Sequence, residues 1–471
     1  MQEPFHPPFP TSSLRKPRVP TATKPRLHIV GAGWAGLSAA VHASLAGWQV
    51  ELYEAAHQAG GRARAAQHQG QTYDNGQHLL IGAYRDTLEL LSTIGVKLDA
   101  VLDRSPLHLC DARGQGLRLG DKASVAGLLR AIVHNTRWRA LDRLSLLGLL
   151  ASIGVWRGVH LTWRRVTGQC WDVSVAALCA LASRQVQRDL IEPLCLAALN
   201  APPLEASAVV FVRVLVDAFA NAPASCDFLL PRVNLSALLA TPATQWLKDQ
   251  GASLHWGSRI QSLGELPRSA GEPVILATSA WQAAHLTQDA HPEWSDCAKN
   301  LQHYPIATVY VSAQTAPNRG PIHDPVVMLE SSPTAPAQFA IQTHFKSKFA
   351  SGMHAHEGDT PFGTAKENMA QATSSPVWAF VVSDSRGQER EALIEGVLAQ
   401  AAHDLGLKTP RLEACFIEKR ATFAPLVGQK RPPMEVAKDL WACGDYIRGP
   451  YPSTLEGAVR SGKAVIDALM P

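Results

Sequence analysis

The chain has no large excess of charge of either sign: 44 Lys and Arg stand against 40 Asp and Glu, a net charge of +4 over 471 residues. Such a balance argues against a nucleic-acid partner, which leaves a clustered basic footprint. It leaves room for a local basic face against anionic lipid. The eight cysteines, Cys110, Cys170, Cys179, Cys195, Cys226, Cys297, Cys415 and Cys443, include no C-x-x-C pair. Neither a zinc site nor a redox dithiol is therefore expected, and no other metal is implied. Scattered single thiols point to a reducing, cytoplasmic setting. A long hydrophobic run is also missing. The longest, Leu146 to Trp156 with Ser152 interrupting, falls short of the ~20 residues of a spanning helix. The expectation is a chain that is soluble or lies on a membrane, and does not cross one. Residues 1–26 carry Pro, Thr and basic side chains but no apolar segment of a signal peptide, and read as a flexible tail. What is abundant is apolar: 46% hydrophobic against 18% charged. That supports a large core and excludes wholesale disorder. At roughly 100–200 residues per domain, the length implies two or three domains.

Order is expected from Leu27. Leu27 to Val30 is a short apolar run ending in glycine, a buried parallel strand. Gly31-Ala32-Gly33-Trp34-Ala35-Gly36 follows, then small and apolar residues to Ala46 suited to a helix on a sheet, closed by Gly47. Gln49 to Glu54 alternates as a second strand. In this β-α-β context the glycines permit a tight turn and close approach to a diphosphate, with the helix N-terminus aimed at the phosphates. Glu54, at the strand tip, suits the hydroxyls of an adenosine ribose and disfavours a 2′-phosphate. Gly60-Gly61-Arg62-Ala63-Arg64 adds a second glycine turn and a cation for phosphate oxygens.

Those features alone fit NAD or FAD. Gly444-Asp445 at a strand end favours FAD, because Asp445 suits a ribitol hydroxyl that NAD lacks. Pro452 to Ala458 opens a helix whose positive end suits the flavin N1–C2=O edge. Ser453 with Glu456 also reads as an ordinary capping box.

Gly31 to Gly36, Gly60-Gly61-Arg62 and Gly444-Asp445 together resemble the flavin amine oxidase and phytoene desaturase superfamily. Asp74 to Arg85, Pro193 to Asn200, Leu230-Pro231-Arg232 and Leu455 to Gly462 resemble, more narrowly, the hydroxysqualene dehydroxylases of bacterial hopanoid synthesis. The likeness spans about residues 27 to 469. Ile447 to Tyr451 departs from that family's pattern. The resemblance implies an α/β fold: a Rossmann-type, discontinuous FAD-binding domain (27–105, 226–285, 415–471) and a mixed helical and antiparallel-sheet substrate domain (106–225, 286–414). It implies FAD-dependent reduction of hydroxysqualene, an allylic C–OH becoming C–H, with an unidentified electron donor. The implied cofactor residues are Gly31, Gly33, Trp34, Ala35, Gly36, Glu54, Gly61, Arg62, Gly76, Gln77, His78, Ile260, Gly444, Asp445, Thr454, Leu455 and Ala458. Candidate catalytic residues are Asp74, His78 and Tyr451. Two have a plainer reading, a turn or cap for Asp74 and a structural contact for His78, while Tyr451 is an aromatic candidate at the cavity.

Rival readings are a carotenoid-type desaturase or isomerase, an amine oxidase, and a non-enzymatic isoprenoid carrier of the Rab-escort type. A plain NAD dehydrogenase leaves the C-terminal block unexplained. Trp378 reads as core, Arg232 as a phosphate or domain contact, Gly251 to Ile260 as a strand pair, and the Gly-, His- and Ser-rich stretch Ser347 to Ser375 as a mobile loop. Leu128 to Arg165 mixes Leu and Ile with Arg and Trp. That is the composition of an interfacial anchor, or of a helical cap with a solvated arginine face. The interfacial reading implies peripheral attachment to the inner face of the cytoplasmic membrane.

Overall fold

The computed structural model describes residues 24–120, 125–135, 137–168, 171–219, 224–315, 322–346 and 376–470. The expected loop at 347–375 and nearly all of the expected tail lie outside them.

The strand Arg26–Val30 pairs in parallel with Gln49–Glu54 on one side and Val274–Leu276 on the other. Ser253–Trp256 extends the sheet beyond Gln49–Glu54, and Leu440–Ala442 extends it beyond Val274–Leu276. Glu435–Ala437 closes that edge antiparallel. Six strands from three distant stretches thus make one sheet. Its period-2 side chains sort to two faces. Leu27, Ile29, Val50, Leu52 and Ile275 pack under the helices Trp34–Leu45 and Leu455–Leu469. Val30, Tyr53, Val274 and Leu276 pack under Ala280–Thr287 and Pro292–Lys299. A parallel sheet needs both faces covered, and this one has them covered.

A second, five-stranded sheet is antiparallel. His303–Thr315 lies between Pro376–Ser383 and Leu407–Phe423, with Phe339–Lys346 and Val326–Met328 beyond. Ala307, Val309 and Val311 join a core with Leu393, Val397 and Ala401 of the helix Arg390–His403. The alternate residues Thr308 and Tyr310 hydrogen-bond to the 74–77 segment instead. Trp378 is buried in the core of this sheet, as packing required.

Three expectations need correction. Gly251 to Ile260 holds one strand, not a pair, because Ser253–Trp256 takes Gln49–Glu54 as its partner. The chain then turns at Gly257, and Ser258 N–H donates to the Glu54 carbonyl. The domain boundaries expected at 285 and 414 fall inside the helix Ala280–Thr287 and the strand Leu407–Phe423. Trp294 in the helix Pro292–Lys299 still belongs to the first sheet's core. Finally, Ala140–Thr167 is a single 28-residue helix, about 42 Å long at 1.5 Å per residue. Among the described residues it is the one helix long and apolar enough to cross a membrane by length and composition, with a mean hydropathy of 1.4. The apolar run understated it, because Gly, Ser and Thr extend a helix without lengthening that run.

Candidate functional site

The glycine loop closes where strand meets helix. Gly31 has φ +108°, and a Cβ there would lie 2.6 Å from the Ala277 carbonyl oxygen; one on Gly36 would lie 1.9 Å from the Gly31 carbonyl oxygen. No side chain caps the helix at Gly33, so the first-turn N–H groups at Trp34, Ala35 and Gly36 are left for an anion. The Trp34 indole donates to the Ala63 carbonyl (3.0 Å), and Gly60 N–H donates to the Ala32 carbonyl (2.8 Å). These bonds fasten the second glycine turn, with Gly61, against the first.

Glu54 accepts hydrogen bonds from Ala32 N–H (2.7 Å) and Ala56 N–H (2.9 Å). Each carboxylate oxygen keeps a further lone pair, the requirement for binding ribose hydroxyls. Ile260 is half-buried beside the same strand ends, packed on the face toward Ala280–Thr287.

Arg62 was expected to meet a diphosphate directly. The structure instead joins it to Asp445 (2.6 Å) and to the Ala421 carbonyl (2.6 Å). The Asp445 carboxylate holds the guanidinium pKa above its ordinary value. The pair ties the N-terminal glycine turn to the C-terminal strand end. Gly444 N–H donates to Ser461 Oγ (2.8 Å), which anchors that strand end to the last helix.

Gly76, Gln77 and His78 follow the hairpin Ala65–His68 and Gln71–Asp74. Gln77 N–H donates to Thr308 Oγ1 (3.3 Å), and the buried Gln77 Oε1 has no partner in the structure. His78 Nδ1 lies 2.7 Å from the Gly76 carbonyl, so that nitrogen carries the proton. Burial lowers the His78 pKa, which keeps the ring neutral with Nε2 as an acceptor. Asp74 is 1% exposed. Its Oδ1 accepts Leu235 N–H (2.8 Å), and its carbonyl accepts the Tyr310 hydroxyl (3.1 Å). Burial pushes its carboxyl up to about 7.

Tyr451 is buried between two guanidinium groups, Arg213 at 5.5 Å and Arg460 at 4.9 Å from its ring centre. Its hydroxyl bonds to Asp217 and Arg213, and burial, with the Asp217 charge, raises its pKa. Arg213 Nε holds Asp217 at 2.5 Å. Nothing local in the sequence ties Arg213 and Asp217 to Tyr451, or Thr308 to Gln77, because each of those contacts spans more than 200 residues.

The last helix begins differently from the expected capping box. Thr454, not Ser453, is its N-cap, with Gly457 N–H donating to Thr454 Oγ1 (2.9 Å). Ser453 has φ +59° and donates to the Phe423 carbonyl. Leu455 and Ala458, in the first turn, pack on the first core. Glu456 turns away, accepting Asp86 N–H (3.1 Å), Thr87 N–H (3.0 Å) and Thr87 Oγ1 (2.8 Å). Arg232 bonds to the Asp99 carbonyl and the Asp103 carboxylate, the domain contact among its two expected roles.

An uncapped glycine-loop helix, a strand-tip acid with spare lone pairs, a strand-end Gly-Asp and an unpartnered Gln77 oxygen fit FAD. The fold and this cradle define a flavoprotein oxidoreductase. The chain matches the flavin containing amine oxidoreductase family over residues 34–470 and belongs to it. It is 26% identical over 467 residues to a hydroxysqualene dehydroxylase of Zymomonas mobilis, covering 93% of this chain and 98% of that one. It is 27% identical to a hydroxysqualene dehydroxylase of Sinorhizobium fredii, covering 94% and 97%. The solved structure of cyclohexylamine oxidase from Brevibacterium oxydans shares the fold, with a TM-score of 0.64 at 14% identity, covering 95% and 99%. The chain is thus an FAD-dependent oxidoreductase with a two-sheet amine-oxidase fold.

Proposed function

We propose that this chain reduces hydroxysqualene to squalene. The observation that carries the proposal is the end-to-end similarity to hydroxysqualene dehydroxylases. A complete flavin cradle supports it. FAD bound there supplies the hydride chemistry. The overall change replaces an allylic C–OH by C–H: one hydride adds to carbon, one proton joins the hydroxyl, and water leaves. The chain's residues hold the cofactor, exclude water and provide that proton. His78 is neutral and its N–H is committed to Gly76. The Tyr451 hydroxyl is tied to Asp217 and Arg213. Asp74 keeps a proton nearest to neutrality, so we assign it the acid role. The test is anaerobic incubation of photoreduced, FAD-loaded protein with hydroxysqualene, read by gas chromatography–mass spectrometry. Squalene formed only with enzyme supports the assignment. A reduced flavin that leaves hydroxysqualene untouched but reacts with a polyene or an amine moves the chain to the desaturase or amine-oxidase reading.

A peripheral membrane position is part of the same proposal, since a C30 isoprenoid partitions into lipid. Only 17% of the apolar window of Ala140–Thr167 is buried in the protein. Leu141, Leu144, Val155, Val159 and Val166 are all at least half exposed and follow one helical stripe. Trp163 and Arg165 flank its C-terminal half, Arg157 and Arg164 lie nearer the protein-facing side, and no acid follows Asp142 in the helix. Leu146, Leu149 and His160 pack inward, which leaves the apolar stripe facing outward and supports contact with an anionic bilayer. Among the described residues seven cysteines are free thiols, which supports a reducing, cytoplasmic setting for that bilayer.

A further inference from the structure

Beside Arg62, whose guanidinium reaches the Arg420 carbonyl, lies a cavity of about 350 Å³, lined by Trp281, Lys299, His303, Lys419 and Arg420 with two apolar side chains. Its lining carries three cations, Lys299, Lys419 and Arg420, and no carboxylate. Trp281 is 50% exposed, yet its plane is set: the ring stacks on His285 (6.2 Å between centres, 12° between planes). The Arg420 guanidinium lies 5.3 Å from the same ring. His303 is fixed by its Nδ1 against the Leu301 carbonyl at 3.0 Å, and burial with the Arg62 and Arg420 charges lowers its pKa. The wall continues into the cofactor cradle, because the Arg62 guanidinium donates to the Arg420 and Ala421 carbonyls. Lys430 and Arg448 add positive charge near Cys297, on the same helix as Lys299.

An exposed aromatic plane beside clustered cations suits a planar ring carrying phosphate. The volume is at the small end of the range for ligand sites, roughly 300 to 1,000 Å³, enough for one nucleotide half. The reaction argued above oxidises the reduced flavin by two electrons each turn. The single G-x-G-x-x-G cradle is already taken by FAD. We propose that this cavity, where Trp281, Lys299, Lys419 and Arg420 converge beside Arg62, binds the phosphate-bearing end of a reduced nicotinamide dinucleotide that recharges the flavin. In that exchange the dihydronicotinamide loses a hydride and is oxidised. The flavin accepts that hydride, hydrogen and two electrons together, and one solvent proton completes its reduced form. This inference rests on the dehydroxylase reading for its role, but the binding event does not.

The test is anaerobic titration of the FAD-loaded protein with NADPH and, separately, NADH, followed by nucleotide fluorescence and calorimetry. Saturable binding of one of them is expected, weakened about tenfold in Trp281→Ala and in Lys419→Glu, with bound FAD per chain unchanged. Binding should fall as salt rises. The proposal is overturned if neither nucleotide binds, or if both variants bind as the parent does. It is equally overturned if FAD is lost in step with nucleotide affinity, which makes the cavity part of the FAD cradle. Reduction of the flavin by an acidic electron-carrier protein but by neither nucleotide also overturns it. Squalene formation by photoreduced protein without nucleotide reads the dehydroxylase assignment separately, so the two can fail independently.

Discussion

Asp74 sits at the end of a hairpin strand with its carboxyl turned inward to the Leu235 N–H. One hydrogen bond favours the charged form, but burial outweighs it and lifts the carboxyl to about 7. The folded pKa therefore lies above the unfolded value of about 3.9. Between those two values the native state holds a proton that the unfolded chain has released, so this group's contribution to stability falls as pH rises from about 4 through about 7. Asp74→Asn keeps an acceptor oxygen for Leu235 and removes the titration. Its unfolding midpoint in urea is expected to change less with pH across that window than the parent's; parallel curves would assign the dependence to another group. The same substitution removes the proposed acid. The sequence marked Asp74 through its neighbours Asn75 and Gly76. Leu235 and Tyr310 were not legible, because their pairing depends on how the sheets are brought together.

At the scale of elements, the helix Leu455–Leu469 is fixed at its start by two carboxylates with different tasks. Asp445, just before it, meets Arg62. Glu456, fully buried, caps the helix Arg85–Thr93 through Asp86 and Thr87. Glu456→Ala would strand two N–H donors and a hydroxyl away from water. The expected loss is about 3 kcal/mol, measured by denaturant unfolding. Glu456→Gln, which retains an acceptor oxygen, should lose less. A loss below ~1 kcal/mol for the alanine variant would mean that solvent replaces the carboxylate. The sequence pattern S-T-L-E placed the helix start to within a residue but assigned the cap to Ser453. Two adjacent hydroxyl residues compete there, and local spacing cannot show that Glu456 has a tertiary partner. The first β-α-β unit was legible because its turn, helix and second strand are contiguous. The edge strand Ser253–Trp256 was misread as part of a hairpin because its partner lies about 200 residues earlier.

For the whole molecule, the exposed stripe on Ala140–Thr167 sets a test of placement. The protein is expected to co-sediment with vesicles containing anionic lipid at low salt and to release as salt rises. Val155→Asp with Val159→Asp puts two charges on the stripe at exposed positions. The double variant should remain in the supernatant with its FAD bound. Equal sedimentation of parent and variant would remove this helix as the contact. The sequence showed the Trp and Arg content but not which residues face outward, since that depends on what Leu146, Leu149 and His160 pack against.

The first sheet also sets the order in which the protein can mature. Arg26–Val30 and Gln49–Glu54 leave the ribosome early, but the neighbouring strand Val274–Leu276 and then Leu440–Ala442 come much later. At about 5–20 residues per second, Leu440 is made on the order of 20–80 seconds after Glu54. During that interval the nascent sheet has exposed edges, and neither Asp445 nor the last helix is available to complete the cradle. Flavin capture with the full set of contacts is therefore a late, post-translational event, and a chain truncated before Leu440 would be released as apoprotein with an open sheet.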